Sequence, residues 1–148
     1  MDKIIAENRK ALHDYFVEDK FEAGIVLEGS EVKSVRAGKV NLKDSFAIVK
    51  GGELFLVGTN ISTYAKTTML APNPTRTRKL LLHKEELSKI ERKTKIKGYT
   101  LIPLDMHFKA GLIKVQIGLC RGKQEFDKKQ SLKEKDIKRE MEREFKDN

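Results

Sequence analysis

Between Leu112 and Leu119 apolar and polar residues alternate, with Val115, Ile117 and Leu119 interleaved with Lys114, Gln116 and Gly118. Successive side chains of a strand point to opposite faces, so one face of this segment belongs on a core and the other in water. Such a strand needs partners, and the sequence offers them. Residues 15–27 mix aromatic and β-branched side chains, with Gly24 as a bend. Residues 45–49 and 54–57 flank Gly51-Gly52 and read as a hairpin. Residues 99–108 form a further strand, joined to the alternating one through Lys109-Ala110-Gly111.

Two helices punctuate these strands. Gly29-Ser30 opens the first, in which Ser30 is the expected cap, Val32 and Val35 the buried side and Gly38 the stop. Lys33 and Arg36 then stand three apart on one helix face, with Lys39 just beyond. The second spans residues 84–92 and turns Leu87 and Ile90 inward. Residues 67–79 carry Pro72 and Pro74 with Arg76, Arg78 and Lys79, the composition of an exposed basic loop, beside the strand-like Leu80-Leu81-Leu82. The class is therefore mainly β with two or three short helices. So many short strands suggest a small β-barrel, whose strand order the pattern leaves open.

Past Arg121 the character changes. Residues 121–148 hold ten Lys or Arg and eight Asp or Glu, with Phe126, Leu132, Ile137, Met141 and Phe145 as the only large apolar side chains. Too little surface can be buried there to offset chain entropy, so an independent fold is not expected. Ser131 and Glu134 nevertheless have capping-box spacing, and Ile137, Met141 and Phe145 recur at i, i+4 and i+8. The expected division is a barrel over residues 1–120 and a charged C-terminal tail over 121–148, disordered or helical on binding.

Charge and missing motifs narrow the function. Lys and Arg outnumber Asp and Glu by 31 to 22, and the net charge of +9 favours an acidic partner such as nucleic acid. Cys120 stands alone, which excludes an internal disulfide framework. No apolar run approaches the length of a spanning helix, and Met1-Asp2-Lys3-Ile4-Ile5-Ala6-Glu7 is charged too early for a signal peptide. A cytoplasmic protein without membrane contact is expected. His13, His83 and His107 are scattered, and read as ordinary surface or half-buried residues. Neither metal-ligand spacing, a phosphate-binding glycine loop nor a nucleophile elbow occurs, so no catalytic site, metal or cofactor is expected. Lys33, Arg36 and Lys39, with Arg76, Arg78 and Lys79, are the clusters suited to phosphate, and Tyr15 could add stacking. The residues alone reach a basic β-barrel with a charged tail that binds RNA.

A series of longer words goes further. It runs Asn8-Arg9-Lys10-Ala11, Phe21-Glu22-Ala23-Gly24-Ile25, Glu31-Val32-Lys33-Ser34-Val35-Arg36-Ala37-Gly38-Lys39 and Asn41-Leu42-Lys43-Asp44-Ser45. It continues with Pro74-Thr75-Arg76-Thr77-Arg78-Lys79-Leu80-Leu81-Leu82-His83, Gly98-Tyr99-Thr100-Leu101-Ile102-Pro103-Leu104 and Gly122-Lys123. In order and without large gaps, this series resembles the SmpB family.

The resemblance implies a closed oligonucleotide-binding (OB) type β-barrel with appended helices. It implies binding to the tRNA-like domain of transfer-messenger RNA (tmRNA) and delivery of that RNA to stalled ribosomes. The tail would enter the empty mRNA path beside the small-subunit decoding region. The alternative is a general OB-fold translation factor or RNA chaperone without tmRNA preference. By motif, Glu22, Leu81 and Lys114 match positions the family uses for tmRNA, and Asn8 and Tyr15 fall in a region facing the RNA. Leu81 has core packing as its rival role, and Glu22 has that of a salt-bridge anchor. For Glu22 an RNA contact means accepting from a base amine or a sugar hydroxyl. Gly122, Lys123, Phe126, Asp127, Lys128, Lys129, Ile137 and Met141 make up the ribosome-contacting tail set. Asp127-Lys128-Lys129 carries Lys where the family motif has Arg, which loses the planar fork. Phe126 stands where many relatives carry His.

Overall fold

A computed structural model describes residues 3–63, 72–123 and 137–141. Chain order is β1 (Lys3–Glu7), α1 (Arg9–Asp14), β2 (Tyr15–Ile25), α2 (Gly29–Arg36), β3 (Val40–Asn41), β4 (Phe46–Lys50), β5 (Glu53–Val57) and β6 (Asn60–Ile61). Then come β7 (Arg78–Leu81), α3 (Lys84–Thr94), β8 (Tyr99–Lys109) and β9 (Leu112–Gly122). All pairings are antiparallel. In the large sheet the order is β1-β8-β4-β5-β7-β2-β9, and β8 also pairs with β9. The ladder thus returns to its own start, with β1 added outside it, while β3 and β6 form a separate pair.

The alternation that marked β9 is realised. Val115, Ile117 and Leu119 are buried together with Phe21 and Ala23 of β2, Leu54 and Leu56 of β5, Leu80 of β7 and Leu101 and Met106 of β8. Val35 and Ile90 close this core from α2 and α3. The expected Gly51-Gly52 turn and the Lys109-Ala110-Gly111 junction both carry left-handed residues, Gly51 and Gly52 at φ 59 and 75, and Ala110 and Gly111 at φ 49 and 80. That backbone matches the twist of the paired strands. Gly118 has a different reason for lacking a side chain, because a Cβ there would meet Leu104 Cδ1 at 2.9 Å. It lies under a second apolar cluster of Ala11, Ile102, Leu104 and Cys120 on the other side of the sheet.

Several details depart from the sequence expectations. Glu28, not Ser30, precedes α2, and the Glu31 carboxylate reaches back to accept from the Glu28 N–H at 3.0 Å. β1 and the six-residue α1 were not anticipated, and Asn8 caps the latter, accepting from Ala11 N at 3.2 Å. β9 continues through Gly122, which pairs with Tyr15. The Lys123 N–H donates to Asp14 O at 3.1 Å, so Gly122 and Lys123, which the sequence reading groups with the tail, are held at the end of the sheet. In the tail, residues 137–141 are helical. Met141 is buried against Phe46, Ile48 and Val57, on the face of the β4–β5 hairpin opposite the main core.

One interior ion pair ties these parts together. Arg78 heads β7 fully buried, at 0% exposure, and is not the surface cation expected of a basic loop. Its Nε donates to Glu31 Oε2 at 2.7 Å, while its terminal nitrogens donate to Thr59 O at 2.8 Å and Pro74 O at 2.9 Å. Arg76 grips the same carboxylate through Nε, at 3.1 Å from Oε2, and through a terminal nitrogen to Oε1. Burial works against the charge on Glu31. The bonds from Arg76, the Glu28 N–H and Arg78 outweigh it and hold the carboxyl below its ordinary value. Removing one partner would strand a buried charge. Arg78→Ala is therefore expected to cost about 3–5 kcal/mol, read as a lowered urea midpoint. Arg76→Ala, at a half-buried site where Arg78 still pairs Glu31, should cost clearly less.

Candidate nucleic-acid interface

Strand register assembles a face that no local motif contains. Leu81 of β7 lies opposite Gly24 of β2, Gly24 opposite Lys114 of β9, Lys114 opposite His107 of β8, and His107 opposite Ile4 of β1. The next row on the same side runs Glu22, Gln116, Asp105. Glu22, Leu81 and Lys114 thus share one outward surface. Gly24 lies between them: a Cβ there would stand in ordinary contact with both, 3.4 Å from Leu81 Cβ and 3.7 Å from Lys114 Nζ. Leu81 is 52% exposed, which rules out the core role open to it in the sequence.

A groove of about 330 Å³ opens beside this row, lined by Leu27, Val32 and Arg36 from α2 and its approach and by Leu81, Leu112 and Lys114 from the sheet. Leu112 is 60% exposed on its rim. Apolar surface between two cations suits a flat, partly polar group with an anion beside it, which is the chemistry of a nucleotide. Lys33 and Arg36 both lie on the exposed side of α2. Lys79 is half-buried, its ammonium 2.9 Å from Glu53.

Glu22 is held from two sides. His107 Nε2 is 3.0 Å from Glu22 Oε2, and Lys109 Nζ is 3.0 Å from Glu22 Oε1. The other ring nitrogen of His107 faces Asp105 Oδ1 at 2.6 Å. Hydrogen bonds from His107 first and Lys109 second hold the Glu22 carboxyl below its ordinary value, against its own burial. Burial opposes charging of His107, but Glu22 and Asp105 outweigh it and raise its pKa. The sequence assigns no functional role to Asp105, His107 or Lys109. Their i, i+2, i+4 spacing on a strand was the available signal, since it puts all three on one face.

The remaining expected residues lie elsewhere. Asn8 is buried, its amide donating to Leu42 O at 3.2 Å and Pro103 O at 3.0 Å, so its polar atoms serve the fold and not the surface. Tyr15 is half-buried against Ala11, Ile102, Leu104 and Cys120. Lys123 Nζ donates to His13 O at 3.0 Å and sits 4.8 Å from the Phe16 ring centroid. Phe126, Asp127, Lys128 and Lys129 lie outside the described residues. Burial pushes the Cys120 thiol up to about 12, which keeps it protonated and unreactive.

A family model described as SmpB protein matches residues 5–147. The chain belongs to the SmpB family. The SsrA-binding protein of Dechloromonas aromatica is 55% identical, with 97% of each chain covered. That of Bacillus pumilus is 52% identical, with 98% of this chain and 93% of its own length covered. A solved chain from work on tmRNA–SmpB in the bacterial ribosome aligns with a TM-score of 0.68 at 49% identity. The alignment covers 81% of this chain and 85% of that one. No helix among the described residues is long and apolar enough to cross a membrane.

Leu80 and Leu81, adjacent on β7, have opposite placements that stability can separate. Leu80 points into the core and Leu81 into solvent. Leu80→Ala should lower unfolding free energy by about 2–5 kcal/mol, and Leu81→Ala by no more than about 0.5 kcal/mol, in parallel urea titrations.

Proposed function

We propose that this chain binds the tRNA-like domain of tmRNA and brings it to ribosomes stalled on truncated messages, as a cytoplasmic binding protein and not a catalyst. The observation that carries this reading is the single outward face on which Glu22, Leu81 and Lys114, drawn from three strands, meet around the bare Gly24. Those three positions are the ones whose motifs the SmpB resemblance links to tmRNA. Relatives named SsrA-binding proteins and the tmRNA–SmpB ribosome structure support the same partners.

The closed circuit of pairings is read as an OB-type β-barrel. On its surface Arg36, Lys33 and Lys114 meet phosphates, with Lys79 and Arg76 at the margin, while Leu81 lies against a base or sugar. Asn8 and Arg78 act from beneath, by fixing the elements that carry those groups. Tyr15 marks the lower border of the RNA-binding body. Residues beyond Lys123, including Phe126, Asp127, Lys128 and Lys129, are assigned to the small-subunit decoding region and mRNA path, whereas Ile137 and Met141, expected there from the sequence, pack against the β4–β5 hairpin.

Affinity for tmRNA should fall linearly with salt on a double-logarithmic plot, because phosphate neutralisation releases counterions. Lys114→Ala should reduce the magnitude of that slope by about 1. An unchanged slope removes Lys114 from the contacts, and equal competition by bulk tRNA would favour a general RNA-binding translation factor or chaperone. Truncation after Lys123 should leave tmRNA affinity largely intact and abolish tagging on stalled ribosomes. Loss of both activities together would refute the division between body and tail.

A further inference from the structure

His107 lies between two carboxylates, with one ring nitrogen facing each. Nδ1 is 2.6 Å from Asp105 Oδ1 and Nε2 is 3.0 Å from Glu22 Oε2. A neutral imidazole has one donor nitrogen and one acceptor nitrogen, so it can satisfy only one of these contacts and sets a lone pair against the other carboxylate. The imidazolium donates to both. The arrangement bridges the sheet: Glu22 belongs to β2 and His107 to β8, and β9 runs between them.

Charge arithmetic on this face turns on that proton. Facing His107 are Glu22 from β2, Lys114 from β9, and Asp105 and Lys109 from its own strand. On β1, Ile4 stands opposite it between Lys3 and Glu7, and Glu7 is drawn towards Arg9 at 3.7 Å. Across β2, β8 and β9 the two carboxylates offset the two ammonium groups, and a neutral ring leaves that set without net charge. The imidazolium makes it positive, as a surface for phosphates requires. His107 and Lys109 also take one Glu22 oxygen each, which fixes the carboxylate plane. Glu22 is exposed, so its remaining lone pairs can accept from a base amine or a 2′-hydroxyl.

We propose that His107 is a positioning residue for RNA binding: as an imidazolium clamped by Asp105 it orients Glu22 and keeps the face positive, so tmRNA affinity depends on its proton. This rests on the tmRNA reading above and adds a determinant to the same face. The sign follows from the geometry. The carboxylates raise the His107 pKa above its ordinary 6.5, so the clamp is fully charged below that value. It is lost as pH rises through the raised one. RNA phosphate nearby raises it further, and each additional unit corresponds to about a tenfold difference in affinity between the two pH limits.

The test measures tmRNA affinity of the full chain from pH 6 to 9 at constant ionic strength, with the His107 ring titration followed by NMR in the same buffers. The natural protein should bind about tenfold more tightly at the acid end, with a midpoint tracking the ring. His107→Gln, which hydrogen-bonds but cannot charge, should be flat at the alkaline level, and His107→Arg should be flat nearer the acid level. His13 and His83 remain in both variants, so a full pH step surviving in His107→Gln overturns the proposal. A natural protein that binds tmRNA tightly but without pH dependence also overturns it, and leaves the tmRNA reading standing. Failure to bind tmRNA at any pH would instead strike that reading. Urea midpoints of the variants separate loss of fold from loss of the clamp.

Discussion

A guanidinium with no exposure to water is stable only if its charge and its donors are matched, and Arg78 is matched by one carboxylate and two backbone carbonyls. The requirement reaches well beyond the pair. Glu31 must sit on the first turn of α2, which fixes the helix against the head of β7 and carries Arg36 to the rim of the groove. Pro74 and Thr59 must present their carbonyls, which ties down the approach to β7 and the end of β5. Leu81 is three residues from Arg78 along the same strand. The outward face is therefore positioned by an interior ion pair that no nucleic acid would touch.

Regular elements were the legible part of the chain. The alternation in β9, the Gly51-Gly52 turn and the Lys109-Ala110-Gly111 junction each encode one local geometry, and local geometry is what a pattern can carry. β1 was hidden because its five residues do not alternate and pair on one side only, as an added edge on β8. α1 is too short for helical periodicity to emerge, although Asn8 held the capping signal. Glu28 in the cap position defeated an expectation built on Ser30, since Glu31 supplies the reciprocal bond by itself.

The candidate site divides in the same way. Glu22, Leu81 and Lys114 were reached through motif resemblance, and their meeting around Gly24 is a product of register. Arginine's usual preference for solvent made Arg78 look like a phosphate ligand, and only burial separates it from Arg36. The reverse error befell His107, whose two carboxylate partners come together through pairing across β9. No sequence window contains both Glu22 and His107, so an isolated histidine was indistinguishable from a bland one.

The ladder between β2 and β9 also has a consequence in time. Tyr15 pairs with Gly122 and Gly24 with Lys114, so a strand made early waits for one made long after it. Until β9 is available, the β2 edge that pairs with it stays open, and its apolar face with Phe21 and Ala23 is uncovered. Contacts of such long sequence separation slow folding and prolong exposure of aggregation-prone surface. The early β4–β5 hairpin, closed by a two-residue turn, can form while the chain is still incomplete. A nascent chain of this protein therefore lacks the surface that would recognise RNA until β9 has emerged.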